Sequence, residues 1–178
     1  MNILITGGAG FIGTHLVKQF LKKNNNVIVV DNLLTGSKDN IRSFNKFKNF
    51  SFINLDVQHH IQIDTEVDYV LHLASAASPK AYTEHPINTL KAGSIGTINT
   101  LGLAKAKNAK YLLTSTSEVY GNVGKKEMPI TEKQKIAPIN PYAVTKVYQD
   151  LISQVYQKSF NLKIIITRMF SYTNARRI

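Results

Sequence analysis

Asn2-Ile3-Leu4-Ile5-Thr6-Gly7-Gly8-Ala9-Gly10-Phe11-Ile12-Gly13 is the stretch that decides the fold. Asn2 to Thr6 is a short apolar run that stops at Gly7, as a buried strand does. From Gly10 the period changes. Phe11, Ile12, Leu16, Val17, Phe20 and Leu21 recur at three- and four-residue steps up to Lys22-Lys23-Asn24, which predicts a helix with basic residues in its last turn. In the turn between them, Gly7 can take a backbone conformation closed to other residues, Gly10 lets the main chain approach a pyrophosphate, and Gly13 lets helix and strand pack closely. Eighteen residues after Gly13, Asp31 ends a second apolar run, Val27 to Val30. A carboxylate there accepts from a ribose hydroxyl and repels a 2′-phosphate, so the expected cofactor is NAD rather than NADP.

The same alternation continues along the chain. Apolar runs at Phe50 to Leu55, Val67 to Leu73, Tyr111 to Thr114 and Leu162 to Thr167 read as further strands. Ala81 to Lys107 reads as a long, mostly helical stretch, and Asn32 to Asn49 as a polar, lysine-rich stretch. Asn140-Pro141, a cap followed by proline, opens a last helix after a loop from about Gly121 to Ile139. Six strands alternating with helices predict an α/β fold, a doubly wound parallel sheet of the Rossmann type in order 3-2-1-4-5-6 with helices on both faces.

The chain has 178 residues, which at about 150 residues per domain gives one domain. Its hydrophobic share of 43% excludes a disordered chain, and zero cysteines exclude disulfide scaffolds, thiolate metal sites and thiol nucleophiles. His59-His60 lies far from a second ligand set, so no metal is expected. The apolar start is too short for a signal peptide and no run approaches the roughly 20 residues of a membrane span, so the expected location is cytoplasmic, without a membrane partner. The net charge of +11 raises a nucleic-acid reading. Its lysines, however, are scattered singly or in pairs, and the expectation is a basic surface that attracts anionic ligands, with no nucleic-acid partner.

The chemistry is concentrated in two segments, Ser115-Thr116-Ser117-Glu118-Val119-Tyr120-Gly121 at the end of the fifth strand and Tyr142-Ala143-Val144-Thr145-Lys146 at a helix start. Tyr142 and Lys146 are four apart and share a helix face. A lysine ammonium beside a phenol favours the phenolate, which makes Tyr142 a usable base near neutrality. A hydroxyl from Thr116 or Ser117 can bond the same substrate oxygen. Asp56-Val57 ends the third strand at the same rim, placed either for an adenine edge or as an ordinary strand-end Asp in a turn. His72 reads as a satisfied core histidine, and Leu73, Ala74 and Ser75 after it are small enough for a flat cofactor to lie against the sheet.

These segments resemble the extended short-chain dehydrogenase/reductase family, and within it the UDP-glucuronate decarboxylases. The likeness is carried by Thr6 to Gly13, Val30-Asp31-Asn32, His72-Leu73-Ala74-Ser75 with Ser78-Pro79, Thr89-Leu90-Lys91, Gly96-Thr97, Leu101 to Lys105 and Ser115 to Gly121. The resemblance implies NAD held by Gly7, Gly10, Phe11, Ile12, Gly13, Asp31, Asn32, Asp56, Val57, Leu73, Ala74, Ser75, Tyr142 and Lys146. It implies catalysis by Thr116, Ser117, Glu118, Tyr142 and Lys146. Tyr142 would take the proton of the sugar 4-hydroxyl as hydride passes to NAD, and the 5-carboxylate, now β to a carbonyl, would leave as carbon dioxide before the ketone is reduced back. Thr116 and Ser117 would hold the reacting oxygen, Lys146 the nicotinamide ribose, and Glu118 would orient substrate or manage the proton at the former carboxylate carbon. A UDP-sugar is the implied partner, with a homodimer as the assembly.

Three departures from the family pattern stand out. Gly93 replaces an Asn, so a polar contact near the active site is expected to be lost, and Ala76 replaces a Pro. The segment Arg168 to Ile178 does not keep the expected Phe-Asn-x-Tyr-Gly-Pro pattern. The expectation is therefore a single NAD-binding domain over 1–178 without a carboxyl-terminal substrate region. Two alternatives stay open beside decarboxylation: a non-catalytic NAD-binding remnant or regulatory partner, and a sugar-nucleotide epimerase or 4,6-dehydratase.

Overall fold

Six strands run in chain order through the computed structural model, which describes residues 1–171: β1 Asn2–Thr6, β2 Asn26–Asp31, β3 Phe50–Asn54, β4 Tyr69–His72, β5 Lys110–Thr116 and β6 Ile164–Met169. They form one sheet in order β3-β2-β1-β4-β5-β6, and every pairing is parallel. The sheet matches the sequence expectation in strand count, direction and order. The helices are α1 Phe11–Lys22, α2 Lys38–Arg42, α3 Pro79–Glu84, α4 Pro86–Ala106 and α5 Pro141–Phe160.

The period-2 geometry of β1 explains the two cores. Ile3 and Ile5 point to one face, where they meet Val17 and Leu21 of α1 and Val27 and Val29 of β2. Leu4 points to the other, with Val70, Leu101 of α4, Tyr111 and Leu113. Both faces are covered, as a parallel sheet requires. Each of the long helices α1, α4 and α5 is followed by an Asn in the left-handed conformation: Asn24 (φ 55), Asn108 (φ 52) and Asn161 (φ 52). These are helix stops of the kind glycine usually supplies.

Two stretches gain detail in the structure. The stretch Ala81 to Lys107 is two helices, because Pro86 cannot donate to the preceding turn and pushes His85 out of helical geometry (φ −126, ψ 54). The polar connection 32–49 contains α2, opened by Ser37, whose side chain accepts from the Asp39 N–H. Residues 172–178 of the divergent carboxyl-terminal segment lie outside the described residues. Among the described residues, no helix is long and apolar enough to cross a membrane.

Candidate active site

The carboxyl ends of the parallel strands and the helices that follow them enclose a cleft of about 820 Å³. The glycine turn forms one wall. Gly7 has φ +73, a conformation glycine adopts without strain, and its N–H donates to the Val30 carbonyl. Gly13 sits so close to that turn that an added Cβ would stand 2.2 Å from the Gly7 carbonyl oxygen, so nothing larger fits while α1 keeps this place. Asp31 is buried at the end of β2. One of its carboxylate oxygens accepts the Ala9 N–H at 2.9 Å and the other the Leu33 N–H at 2.8 Å. Burial raises its pKa, and the two backbone bonds oppose the shift. Each oxygen retains a lone pair, and the residue lines the cleft.

Every residue expected from sequence to contact cofactor lines this same cleft: Gly7, Gly10, Phe11, Ile12, Gly13, Asp31, Asn32, Asp56, Val57, Leu73, Ala74, Ser75, Tyr142 and Lys146. Asp56 is also occupied locally. It accepts from Asn32 Nδ2 at 2.8 Å and from the Gln58 N–H at 2.9 Å, and so ties the ends of β2 and β3 together. Val57 is buried and packs against Gly96 of α4.

β5 delivers the hydroxyl cluster. Thr116 caps a short 3-10 turn, Ser117–Tyr120, by accepting the Glu118 N–H at 3.2 Å, which leaves its own proton free to donate. Glu118 accepts from Asn140 Nδ2 at 2.8 Å, and Asn140 in turn caps α5 by accepting the Ala143 N–H at 2.7 Å. The turn and the helix start are therefore locked to each other, and Pro141 completes the helix opening. One turn on, Tyr142 and Lys146 face inward, 6% and 2% exposed. The ammonium lies 5.7 Å from the Tyr142 ring centroid and donates to the Thr114 carbonyl at 2.8 Å. Burial lowers the Lys146 pKa to about 8, and the charge of Asp150 opposes that shift.

Two features of the site, at Tyr82 and Asp150, are not among the residues expected from sequence. Tyr82 of α3 stacks on Tyr142 with ring planes 5° apart. Asp150, one turn beyond Lys146, is fully buried and accepts from Arg168 Nε of β6 at 2.8 Å; its i+4 spacing from Lys146 was a readable signal. His72 is the satisfied core histidine expected from sequence, with both ring nitrogens bonded. Thr97 Oγ1 donates to the Gly93 carbonyl at 2.8 Å and accepts from Gln149 Nε2 at 2.6 Å, so at 3.2 Å it also accepts from His72 Nε2, and His72 Nδ1 then accepts from the Thr6 hydroxyl at 2.8 Å. Burial, with Lys146 nearby, lowers the His72 pKa to about 3 and keeps it neutral.

The departure at Gly93 also has a steric cause. An added Cβ would stand 2.6 Å from Thr145 Cβ, so Thr145 of α5 occupies the volume an Asn would need.

A family model described as GDP-mannose 4,6 dehydratase matches residues 4–178. The chain belongs to that family, within the extended short-chain dehydrogenases/reductases. It is 40% identical over 180 residues to UDP-glucuronic acid decarboxylase 4 of Arabidopsis thaliana, an alignment covering 96% of this chain and 39% of that protein. A UDP-N-acetylglucosamine 4-epimerase from Methanobrevibacter ruminantium, in complex with UDP-N-acetylmuramic acid, superposes with a TM-score of 0.89 at 28% identity, covering 99% of this chain and 57% of that one. A dTDP-glucose 4,6-dehydratase from Bacillus anthracis, in complex with NAD, gives 0.82 at 32% identity, covering 94% and 54%. The chain spans about two fifths to one half of the curated relatives it matches.

The residues present fit a dinucleotide. Gly10 leaves its cleft side open, with only the Gly7 carbonyl oxygen near an added Cβ, and the buried hydroxyls of Ser75 and Ser115, both lining the cleft, have no hydrogen-bond partner among the described residues.

Proposed function

We propose that residues 1–178 act as one NAD-binding unit that takes part in NAD-dependent modification of a sugar nucleotide, with decarboxylation of UDP-glucuronate as the reaction. The observation that carries the first part is the convergence on one cleft of the glycine turn, the buried Asp31, the Thr116 hydroxyl and the Tyr142–Lys146 pair. Support for decarboxylation comes from the 40% identity to a UDP-glucuronic acid decarboxylase over almost the whole chain.

The glycine turn and Asp31 would hold the adenosine half of NAD, and Lys146 and Tyr142 its nicotinamide half. Bound there, NAD supplies a hydride acceptor that is restored within each cycle. Tyr142 takes the proton of the sugar 4-hydroxyl, and Lys146 offsets the negative charge that the phenol gains. Thr116 donates its free proton to the same sugar oxygen. The 5-carboxylate, β to the 4-carbonyl, leaves as carbon dioxide because the carbonyl accepts its electron pair. Glu118, anchored by Asn140, orients the sugar and manages the proton that replaces the lost carboxylate. Tyr142 gives its proton back as the 4-hydroxyl is restored, leaving UDP-xylose.

A homodimer is proposed as the assembly. Val144, Leu151 and Val155 form an exposed apolar seam along α5 at four- and seven-residue spacing, beside exposed Ile95 and Ile98 of α4. Sedimentation should give a dimer that Leu151→Glu converts to a monomer.

A second reading, epimerase or 4,6-dehydratase, is favoured by the solved neighbours, which carry those activities in their descriptions. Incubation with NAD and UDP-glucuronate, followed by NMR of the sugar, separates the readings. UDP-xylose supports decarboxylation, and a changed six-carbon sugar from UDP-glucose or UDP-N-acetylglucosamine supports the second. NAD binding with no product from any of them supports a non-catalytic NAD-binding protein.

A further inference from the structure

Lys146 and Asp150 lie one helical turn apart on the buried face of α5, and neither reaches solvent to any useful extent, at 2% and 0% exposure. A buried carboxylate needs partners for both oxygens. Asp150 Oδ2 has one, the Arg168 Nε of β6 at 2.8 Å. Oδ1 has no hydrogen-bond partner among the described residues. Arg168 is itself fixed from two more sides, donating through Nη1 to the Tyr120 hydroxyl at 3.1 Å and to the Glu132 carbonyl at 3.2 Å. The carboxylate is therefore held at one end by a clamped guanidinium, with an unused acceptor on the helix face it shares with Lys146.

Resting on the functional reading above, we propose that Asp150 is a positioning residue for the Tyr142–Lys146 pair: a clamped, buried counter-charge that keeps the Lys146 ammonium charged and directed at the Thr114 carbonyl beside the phenol. Among the described residues, β4, β5, β6, α4 and the 3-10 turn contain one other carboxylate, Glu118, and it is already held by Asn140. β4 contributes His72, which is neutral, and β5 contributes Tyr111, whose pKa burial raises. α4 meets α5 here through Gly93, against Thr145, and Thr97, against Gln149, neither of which titrates. The 3-10 turn after β5 contributes Tyr120, bound to Arg168, and Glu118, bound to Asn140; β6 contributes Arg168, a cation. Asp150 is the group that opposes the effect of burial on Lys146.

The test reads Lys146 directly, by NMR titration of its side-chain nitrogen, assigned from the signal missing in Lys146→Arg. In Asp150→Asn, which keeps the shape and one acceptor, the Lys146 midpoint should fall by about one pH unit or more. In Arg168→Gln, which removes the competing cation and leaves the carboxylate, it should rise. Loss of packing alone does not move the two midpoints in opposite directions. An unchanged midpoint in folded Asp150→Asn overturns the proposal, and should that variant not fold, an unchanged or lowered midpoint in Arg168→Gln does so. The titration needs no substrate, so absence of sugar turnover with both shifts present would defeat the functional reading and leave the Asp150 coupling standing.

Discussion

Tyr82 lies flat against Tyr142, ring centroids 5.4 Å apart and planes 5° from parallel. Ser78 opens the short helix that carries Tyr82 by accepting the Ala81 N–H, so the ring is delivered from a capped element rather than a loose loop. The stack restricts where the phenol of Tyr142 can stand. Tyr82→Phe should keep turnover within about twofold, because the ring face is retained, whereas Tyr82→Ala should cut kcat by about 10- to 100-fold through misplacement of the base. Steady-state kinetics on both variants check this, and full turnover in Tyr82→Ala would show that the stack has no part in placing Tyr142.

Asp31 should set cofactor choice. Its carboxylate is buried at the rim where the adenosine ribose of NAD would sit, and a 2′-phosphate there would face a negative charge with little solvent to screen it. Calorimetry should show NAD bound more tightly than NADP by about tenfold or more, with Asp31→Asn narrowing the gap. Equal affinities in the parent protein would mean that Asp31 does not face the ribose.

His72 should make the fold acid-sensitive. Its pKa falls from 6.5 in the unfolded chain to about 3 in the folded one, because burial disfavours the cation and Lys146 repels it. Between those values the unfolded chain binds a proton that the folded chain does not. Stability from this residue is therefore complete above about pH 6.5 and is lost as pH falls, by up to about 1.4 kcal/mol per pH unit. Urea titrations between pH 7 and 5 should show the decline in the parent protein and a flatter profile in His72→Asn. Identical slopes would place the acid sensitivity elsewhere.

Gly93 and Thr145 should behave as one packing unit. Gly93→Asn alone puts a Cβ 2.6 Å from Thr145 Cβ and should cost about 1–3 kcal/mol. Thr145→Gly in the same chain should recover most of that loss. Melting curves of the two single variants and the double variant measure the coupling, and simple additivity would contradict the shared volume.

The sheet was legible because β1 and β2 are apolar runs ended by Gly7 and Asp31, and because parallel strands with crossovers leave few arrangements. The cleft was legible for a related reason: in this topology strand ends converge, so motifs far apart in the chain, such as Gly7 to Gly13 and Tyr142 to Lys146, meet at one rim. What could not be read from the chain were tertiary choices. Tyr82 meets Tyr142 only because Pro86 breaks the helical stretch and turns α3 over the α5 start, and Arg168 finds Asp150 only because β6 pairs beside β5. His72 is the satisfied core residue its sequence context predicts, but its link from Thr6 through Thr97 to Gln149 spans four elements with no local pattern.

Tyr142 is proposed above as the base of an NAD-dependent decarboxylation. Its most direct measure is release of labelled carbon dioxide from carboxyl-labelled UDP-glucuronate, compared between the parent protein and Tyr142→Phe at saturating NAD, with NAD occupancy checked by calorimetry in both. The parent protein should release it, with Tyr142→Phe losing that release by about 10²-fold or more while NAD affinity stays within about twofold. Release that survives Tyr142→Phe, or a parent protein that binds NAD and UDP-glucuronate yet frees no carbon dioxide, would contradict it.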